Sequence, residues 1–250
     1  MTEFLPISST GHLILAGALL DYPERQRITT ELFIQMGSIL AVFWQYGPEL
    51  LDLGRRVARE RPARALVMKV LVAFLPAAGA GFLFHHAIEE HLFSPRTVAA
   101  ALIAGGVVIL AIERRGERAA VAHIEATGWR QALGIGMAQV VSLFPGVSRS
   151  GATIIGGLLV GLGRPVATQF SFYLALPTVS AASLYGLLKG LPLLGPGDVL
   201  PLATGFVAAF VSALVVIRLF LGYVRGHDLR AFGYYRIALG VLVYLVIGRT

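Results

Sequence analysis

Long apolar stretches separated by short polar segments dominate the chain. Six of these stretches are uninterrupted, over 31–48, 66–84, 97–112, 166–188, 199–221 and 235–248. A helix needs about 20 apolar residues to cross the hydrocarbon core of a bilayer, and tilt or local thinning accommodates a shorter one. The pattern therefore predicts six transmembrane helices.

Two further apolar stretches, over 4–20 and 131–163, are interrupted near their middles by polar residues, proline and glycine. The interruptions read PISSTGH from Pro6 and PGVSRSG from Pro145. Non-helical backbone survives at membrane depth only where protein or a water-filled cavity satisfies its polar groups. We therefore expect two re-entrant hairpins, each a helix, a break and a second helix that returns to the side it came from.

The two interrupted stretches are similar to each other. EFLPISSTG from Glu3 matches SLFPGVSRSG from Ser142 with one inserted residue, and TELF and TQFS follow at nearly the same spacing. Each half, roughly 1–113 and 131–250, thus predicts one hairpin followed by three spans. An odd number of spans inverts the second half, and inverted repeats bind their ligand near the midplane, where the breaks meet.

The composition excludes soluble enzymes, disordered regions and coiled coils. Hydrophobic residues make up 56% of the 250 positions and charged residues 14%, whereas soluble domains are about a quarter charged. The absence of cysteine excludes disulfides, zinc–thiolate sites and thiol catalysis. We therefore expect a single all-α polytopic membrane domain over 1–250. We attribute the net charge of +7 to basic loop residues that set the orientation in the membrane, so we expect the lipid bilayer as a partner and no nucleic acid.

Arginines cluster in three of the segments that separate the spans. Segments 51–65, 113–130 and 218–236 hold 13 of the 21 basic residues. These are Arg55, Arg56, Arg59, Arg61, Arg64, Arg114, Arg115, Arg118, Arg130, Arg218, Arg225, Arg230 and Arg236. With six spans and two returning hairpins, the three segments share one side of the membrane, which the positive-inside rule makes the cytoplasm. The first hairpin then enters from outside and the second from the cytoplasm.

The second break has the residues of a phosphate site. Arg149 lies in apolar sequence, where an unpaired guanidinium costs at least about 2.5–3.5 kcal/mol, so we expect an anionic partner or a cavity. Hydroxyls and glycines flank it, and the apolar run from Ala152 predicts a helix whose N-terminus favours an anion. The alternative is an arginine that pairs with a glutamate and only holds two helices together. The predicted phosphate-binding residues here are Gly146, Ser148, Arg149, Ser150 and Thr153.

The first break carries acid–base residues. Glu3, Ser8, Ser9 and His12 lie within ten residues, and an intramembrane glutamate or histidine is a functional candidate by default. A histidine accepts a proton from a serine or a water, and a glutamate orients that histidine, serves as base or coordinates Mg²⁺ or Ca²⁺. Either serine could be a nucleophile. The alternative for His12 is an interfacial ring without a catalytic role.

Acidic and histidine residues outside the two breaks are weaker candidates for a functional site. Glu31 is either a second acidic member of the site or an interfacial charge. A cluster near the outer end of the second span resembles a metal site, but it lacks helical ligand pairing and we interpret it as a solvated loop. Its members are His85, His86, Glu89, Glu90 and His91.

These residues together favour hydrolysis of a phosphate ester or anhydride on a lipid. A secondary transporter is the main alternative and a lipid flippase a third, because inverted repeats with broken helices also build transport proteins. Transport alone does not require a glutamate, a serine, a histidine and an arginine at one point. Phosphate release from a polyprenyl pyrophosphate in detergent micelles distinguishes the classes.

The two breaks resemble the signature motifs of the bacterial undecaprenyl-pyrophosphate phosphatases, the bacitracin-resistance protein family. EFLPISSTGH from Glu3 and PGVSRSGAT from Pro145 carry the resemblance. ELFIQMGSILA from Glu31 and QFSFYLALP from Gln169 resemble the stretches that follow the motifs, so the similarity extends over nearly the whole chain.

The resemblance implies an enzyme of the bacterial inner membrane that removes one phosphate from undecaprenyl pyrophosphate. It implies six spans, two hairpins, an inverted repeat, a site open to the periplasmic side and a divalent cation, Mg²⁺ or Ca²⁺. By motif position, the family's catalytic glutamate, serine and histidine correspond to Glu3, Ser9 and His12, and its phosphate-binding arginine to Arg149. Ser8 joins the phosphate-binding residues, and Glu3 is the candidate metal ligand. Serine and water both remain open as nucleophile.

One departure from the family concerns the first motif. The family has an acid or amide four residues before the glutamate that corresponds to Glu3, and here that position would precede Met1. Either part of the first arm precedes Met1, or this protein has lost some of the family's metal-binding and acid–base residues. We expect the former, because a hairpin that enters from outside needs a longer first helix.

Overall fold

The computed structural model describes residues 2–20, 24–92, 94–116, 121–190 and 195–247. These residues form ten α-helices and two short 3-10 turns, and no strand occurs among them. In chain order, α1 to α10 are Ser9–Leu19, Glu24–Gln45, Gly47–Val57, Arg61–Leu92, Pro95–Glu113, Trp129–Val141, Arg149–Leu159, Arg164–Gly190, Val199–Tyr223 and Arg230–Val246. The predicted all-α class is confirmed for the described part of the chain.

Three of the helical segments are long and apolar enough to cross a membrane. They are Arg61–Phe84 within α4, Pro95–Glu113, which is α5, and Val199–Tyr223, which is α9. The other three predicted spans coincide with α2, α8 and α10. The chain is therefore a helical membrane protein.

Two segments that the sequence analysis assigned to loops are helical. The N-terminal part of segment 51–65 belongs to α3, which buries Leu53 and carries Arg55 and Arg56 in its last turn. The backbone of α4 continues to Leu92, so the predicted loop with the histidines is helical; the side chains of that cluster lie outside the described residues. Polarity alone suggested loops, but a helix that leaves the hydrocarbon core continues through polar sequence.

Helix α10 also corrects the count of loop charges. It begins at Arg230, before the predicted span. The arginines near its start had predicted a loop there. Arg236 lies inside this helix and is only 2% exposed, so it is not a cytoplasmic loop charge. Its guanidinium bonds backbone carbonyls of the protein instead of water.

Glycines allow the central helices to pack closely. Helix α5 packs along α10, where a Cβ on Gly106 would lie 2.6 Å from the carbonyl oxygen of Gly233. Helix α2 packs against α8 and α9, α4 packs against α6, and α7 lies against both α6 and α8. Small residues at such contacts are typical of helix packing in membranes. The packing brings the segment before α1 next to the segment between α6 and α7.

Candidate active site

Each break ends where a helix of the site begins. The second break lies between α6 and α7, and Ser148 caps α7 because its Oγ accepts a hydrogen bond from the Gly151 N–H at 3.1 Å. This cap starts the helix at Arg149, three residues before the predicted start at Ala152. In the first break, α1 begins at Ser9 and is preceded by non-helical backbone.

The two breaks meet, as the repeat predicted. The Ser150 hydroxyl, in the second break, donates a 2.7 Å hydrogen bond to the carbonyl of Leu5 in the first. Arg236 donates to the carbonyls of Pro6 and Gly146, one in each break, at 3.4 and 3.2 Å. Carbonyls that a break leaves unpaired are thus satisfied by side chains, as a buried non-helical backbone requires.

A polar cavity of about 170 Å³ lies between the breaks. It is lined by residues of both breaks and of α1, α2 and α7: Glu3, Ser8, Ser9, Thr10, Gln35, Ser142, Val147, Ser148 and Arg149. The structure therefore brings together Glu3, Ser8 and Ser9 with Ser148 and Arg149, which the sequence analysis proposed separately for acid–base chemistry and phosphate binding.

Glu3 and Ser9 form a hydrogen-bonded pair in this cavity. The Ser9 hydroxyl donates to Oε2 of Glu3 at 2.7 Å. A hydroxyl that donates to a carboxylate is the arrangement in which the carboxylate removes its proton during nucleophilic attack. Of the two serines that the sequence left as candidates, Ser9 is the one with this partner. The Ser8 hydroxyl is buried and has no hydrogen-bond partner within the described residues.

Arg149 lines the cavity and has two unsatisfied donors. Its Nη1 donates to the carbonyl of Ser171 at 3.3 Å, and its guanidinium lies 5.7 Å from the centre of the Phe4 ring. Nη2 lies 3.6 Å from Oε1 of Glu3, an ion pair between the two breaks. Nε and Nη2 are buried and make no hydrogen bond to any residue that the structure describes. Two free donors of a buried guanidinium suit a phosphate, which accepts both at once.

The other predicted phosphate-binding residues lie behind the cavity wall. Gly146 has φ +91° and packs against α5, where a Cβ would lie 2.6 Å from the carbonyl oxygen of Val98. The Thr153 hydroxyl bonds the Ser171 hydroxyl at 2.6 Å. With Ser150 on Leu5, these residues hold the break that carries Arg149. Of the predicted phosphate-binding residues in this break, Ser148 and Arg149 line the cavity.

His12 does not line the cavity. Its Nδ1 lies 2.8 Å from the carbonyl oxygen of Ser8, and its Nε2 lies 2.7 Å from the hydroxyl of Tyr235 on α10. The two rings are stacked, with centroids 5.7 Å apart. Both nitrogens of the His12 ring are therefore engaged, one by the Ser8 carbonyl and the other by the Tyr235 hydroxyl.

Arg236 is a residue of the site that the sequence did not predict. Its place in the arginine-rich segment 218–236 predicted a loop charge. Arg236 is nevertheless followed by the apolar sequence of α10, and the burial cost that singled out Arg149 applies equally to it. Gln35, Thr10 and Ser142, which also line the cavity, carry no signal that separates them from other small polar residues.

The carboxylate of Glu3 is the one acidic group on the cavity wall within the described chain. No group of three or more histidine or acidic side chains that could hold a metal occurs there. Mg²⁺ commonly binds through one or two carboxylates together with phosphate oxygens of a substrate. Glu3 supplies the carboxylate that this mode requires, and the phosphate oxygens of a substrate would supply the other ligands.

Comparison with known proteins assigns the family. A family model described as bacitracin resistance protein BacA matches residues 1–242. Undecaprenyl-diphosphatase of Dechloromonas aromatica is 49% identical over 243 residues, which cover 97% of this chain and 89% of that protein. Undecaprenyl-diphosphatase 2 of Rhodospirillum rubrum is 51% identical over 245 residues, with the same coverage of both chains. The protein therefore belongs to the bacitracin resistance protein family.

Proposed function

We propose that this protein is an undecaprenyl-diphosphatase, which hydrolyses undecaprenyl pyrophosphate to undecaprenyl phosphate and inorganic phosphate. The relatives carry that name at about half identity over nearly the whole chain. One structural observation carries the proposal: the Ser9 hydroxyl donates to Glu3 at 2.7 Å in a cavity that also contains Arg149. The reaction recycles the lipid carrier of cell-wall synthesis, and the family's name links it to bacitracin resistance.

In the proposed first step, Ser9 is the nucleophile and Glu3 the general base. The Ser9 proton moves to Oε2 of Glu3 while Oγ bonds to the terminal phosphorus. The anhydride P–O bond breaks and undecaprenyl phosphate leaves. A water molecule then attacks the phosphoserine, the proton returns from Glu3 to Oγ, and inorganic phosphate leaves with the oxygen of the water.

Arg149 stabilises the phosphate that is transferred. Its Nε and Nη2 are free to donate, and charge on the phosphoryl oxygens is neutralised by such donors during transfer. Before substrate binds, Oε1 of Glu3 faces Nη2 at 3.6 Å and partly neutralises the buried guanidinium. Arrival of the pyrophosphate replaces this weak pairing with direct hydrogen bonds.

We also propose a divalent cation, Mg²⁺ or Ca²⁺, held by Glu3 together with phosphate oxygens of the substrate. Such a cation supplies positive charge that neutralises the pyrophosphate oxygens. Ser8 lines the same cavity, and its hydroxyl has no partner within the described residues, so it would orient a phosphate or a bound water once the substrate enters.

For the membrane arrangement we propose six spans, formed by α2, α4, α5, α8, α9 and α10, and two re-entrant hairpins. Helix α2 packs against α8 and α5 against α10, and these pairs occupy corresponding positions in the halves 1–113 and 131–250. Contacts between corresponding helices support the inverted repeat. The arginine-rich side then faces the cytoplasm, and the site opens to the periplasmic side of the inner membrane.

A phosphate-release assay in detergent micelles tests the proposed activity. The purified protein should release inorganic phosphate from undecaprenyl pyrophosphate, with undecaprenyl phosphate as the second product. Micelles have no compartments between which a lipid could be moved, so a transporter or flippase would bind the lipid and release no inorganic phosphate. Binding without release, with the protein folded and supplied with Mg²⁺ or Ca²⁺, would overturn the proposal in favour of transport.

A further inference from the structure

Ser8 has a strained backbone at the centre of the site. Its φ is +66° and its ψ is +108°, and it is the one non-glycine residue with positive φ in the described chain. A residue with a Cβ avoids this region unless its surroundings enforce it. Ser8 directly precedes Ser9, whose hydroxyl bonds Glu3. Something must hold Ser8 in this conformation.

The ring of His12 holds the Ser8 carbonyl from one turn further along α1. A carbonyl oxygen only accepts hydrogen bonds, so the 2.8 Å contact requires Nδ1 of His12 to carry the proton. In the neutral ring Nε2 is then the acceptor, and the Tyr235 hydroxyl 2.7 Å away donates to it. Both nitrogens are engaged, so neutral His12 has no free acceptor for a proton from Ser9.

Tyr235 connects this arrangement to the core of the site. It lies on α10 directly before Arg236, whose guanidinium bonds the carbonyls of Pro6 and Gly146. The first break is thus held twice from α10, by Arg236 at Pro6 and by Tyr235 through His12 at Ser8. The Tyr235 and His12 rings are tilted by only 9° to each other, which constrains the orientation of the imidazole, and the hydrogen bonds at its two nitrogens set the tautomer.

We propose that Tyr235 and His12 are positioning residues that keep the Ser8 backbone in its left-handed conformation and so direct Ser9 toward Glu3. The proposal rests on the proposed phosphatase function and assigns the base in that reaction to Glu3 alone. His12 acts through the carbonyl of Ser8 and does not exchange a proton with the substrate. Tyr235 acts one step further away, through His12.

The first test compares neighbouring tyrosines in the phosphate-release assay. Tyr235→Phe should lower kcat about tenfold with little change in KM, because a small displacement of Ser9 slows chemistry more than binding. Tyr234→Phe is the matched control, since Tyr234 is exposed and makes no hydrogen bond within the described chain. Equal kcat values in native protein and Tyr235→Phe would overturn the proposal. A native protein without any phosphate release would instead overturn the proposed function.

The backbone conformation of Ser8 provides a second test. Glycine adopts positive φ without strain, so the Ser8→Gly protein should depend less on the hydrogen bonds from Tyr235 and His12 than the Ser8→Ala protein does. Ser8→Ala removes the same hydroxyl and keeps the strain. The loss caused by Tyr235→Phe should therefore shrink to less than about threefold in the Ser8→Gly background and stay near tenfold in Ser8→Ala. Equal losses in the two backgrounds would contradict the proposal.

The role of His12 is tested in the native Ser8 background. The side-chain amide of asparagine places a donor near the position of Nδ1, whereas that of glutamine places one near Nε2. His12→Asn should therefore retain at least about tenfold more activity than His12→Gln or His12→Ala, since it alone preserves the bond to the Ser8 carbonyl. If His12 were the general base, all three variants would be equally impaired, and that result would overturn the positioning role.

Discussion

Nη2 of Arg149 lies 3.6 Å from Oε1 of Glu3, although the two residues belong to opposite breaks of the chain. The distance is too long for a hydrogen bond, and two donors of the guanidinium are left without partners among the described residues. A buried cation in this state is stabilised only in part. The site therefore favours an anion that can bind the guanidinium while it lies next to the carboxylate of Glu3. A pyrophosphate that carries a divalent cation meets both conditions, because the cation neutralises the repulsion between the phosphate and the carboxylate.

Substitution of Arg149 should impair both binding and chemistry. We expect Arg149→Ala to lower kcat/KM by about 10²–10³-fold or more, the usual cost of removing a donor to transition-state charge. Arg149→Lys keeps the charge but not the two parallel donors, so it should also be strongly impaired. Arg55→Lys, on the exposed face of α3, is the control and should behave as the native protein. Near-native phosphate release by Arg149→Ala would refute the assigned role.

Arg236 donates hydrogen bonds to carbonyls of both breaks, an arrangement that we call the Arg236 clamp, and this clamp should stabilise the fold. Arg236→Met leaves buried carbonyls without donors and should lower the free energy of unfolding by at least about 1–3 kcal/mol. Gly105→Ala should act in the same direction, because its Cβ would overlap the Arg236 guanidinium. Gly79→Ala is the control, since a Cβ there meets nothing within 4 Å. Thermal unfolding in detergent measures the three variants, and equal Tm values for Gly105→Ala and Gly79→Ala would contradict the clamp.

The hydrophobic pattern was sufficient to predict the long apolar helices, because apolar length is what the bilayer selects, but it predicted loops where α3 and the end of α4 lie. The pattern also predicted that the breaks meet, because the inverted repeat that it indicates would place its binding site there. It did not predict Arg236 as a buried clamp, because an arginine near a helix end has the same sequence signal whether it faces water or carbonyls. Nor did it predict the orientation of His12, which depends on a tyrosine more than 200 residues away.

The membrane orientation predicts which loops are accessible from outside the cell. The native chain contains no cysteine, so single cysteines report without background. Gly197→Cys, between α8 and α9, should react with an impermeant thiol reagent in intact cells. Ala58→Cys and Gly226→Cys, at the arginine-rich side, should react only after permeabilisation. All three positions are exposed, so a difference reports sidedness, and labelling of Ala58→Cys from outside would invert the arrangement.

The proposed phosphoserine predicts the stereochemistry at phosphorus. Two successive in-line displacements, first by Ser9 and then by water, give net retention of configuration, whereas direct attack by water gives inversion. A substrate with a terminal phosphate made chiral by sulfur and oxygen isotopes distinguishes them. We expect retention. Inversion would show that Glu3 activates a water and that Ser9 only orients it.

The most direct measurement is phosphate release from undecaprenyl pyrophosphate by the native protein, Glu3→Gln and Ser9→Ala under single-turnover conditions. The native protein should hydrolyse the substrate. Glu3→Gln should be slower by about 10²–10⁴-fold, the range for loss of a general base, and Ser9→Ala, which lacks the nucleophile, should be slowed at least as much, while substrate binding persists through Arg149. Glu49→Gln and Thr204→Val, at exposed positions, are the matched controls and should retain native rates. Native rates in Glu3→Gln or Ser9→Ala would contradict the account.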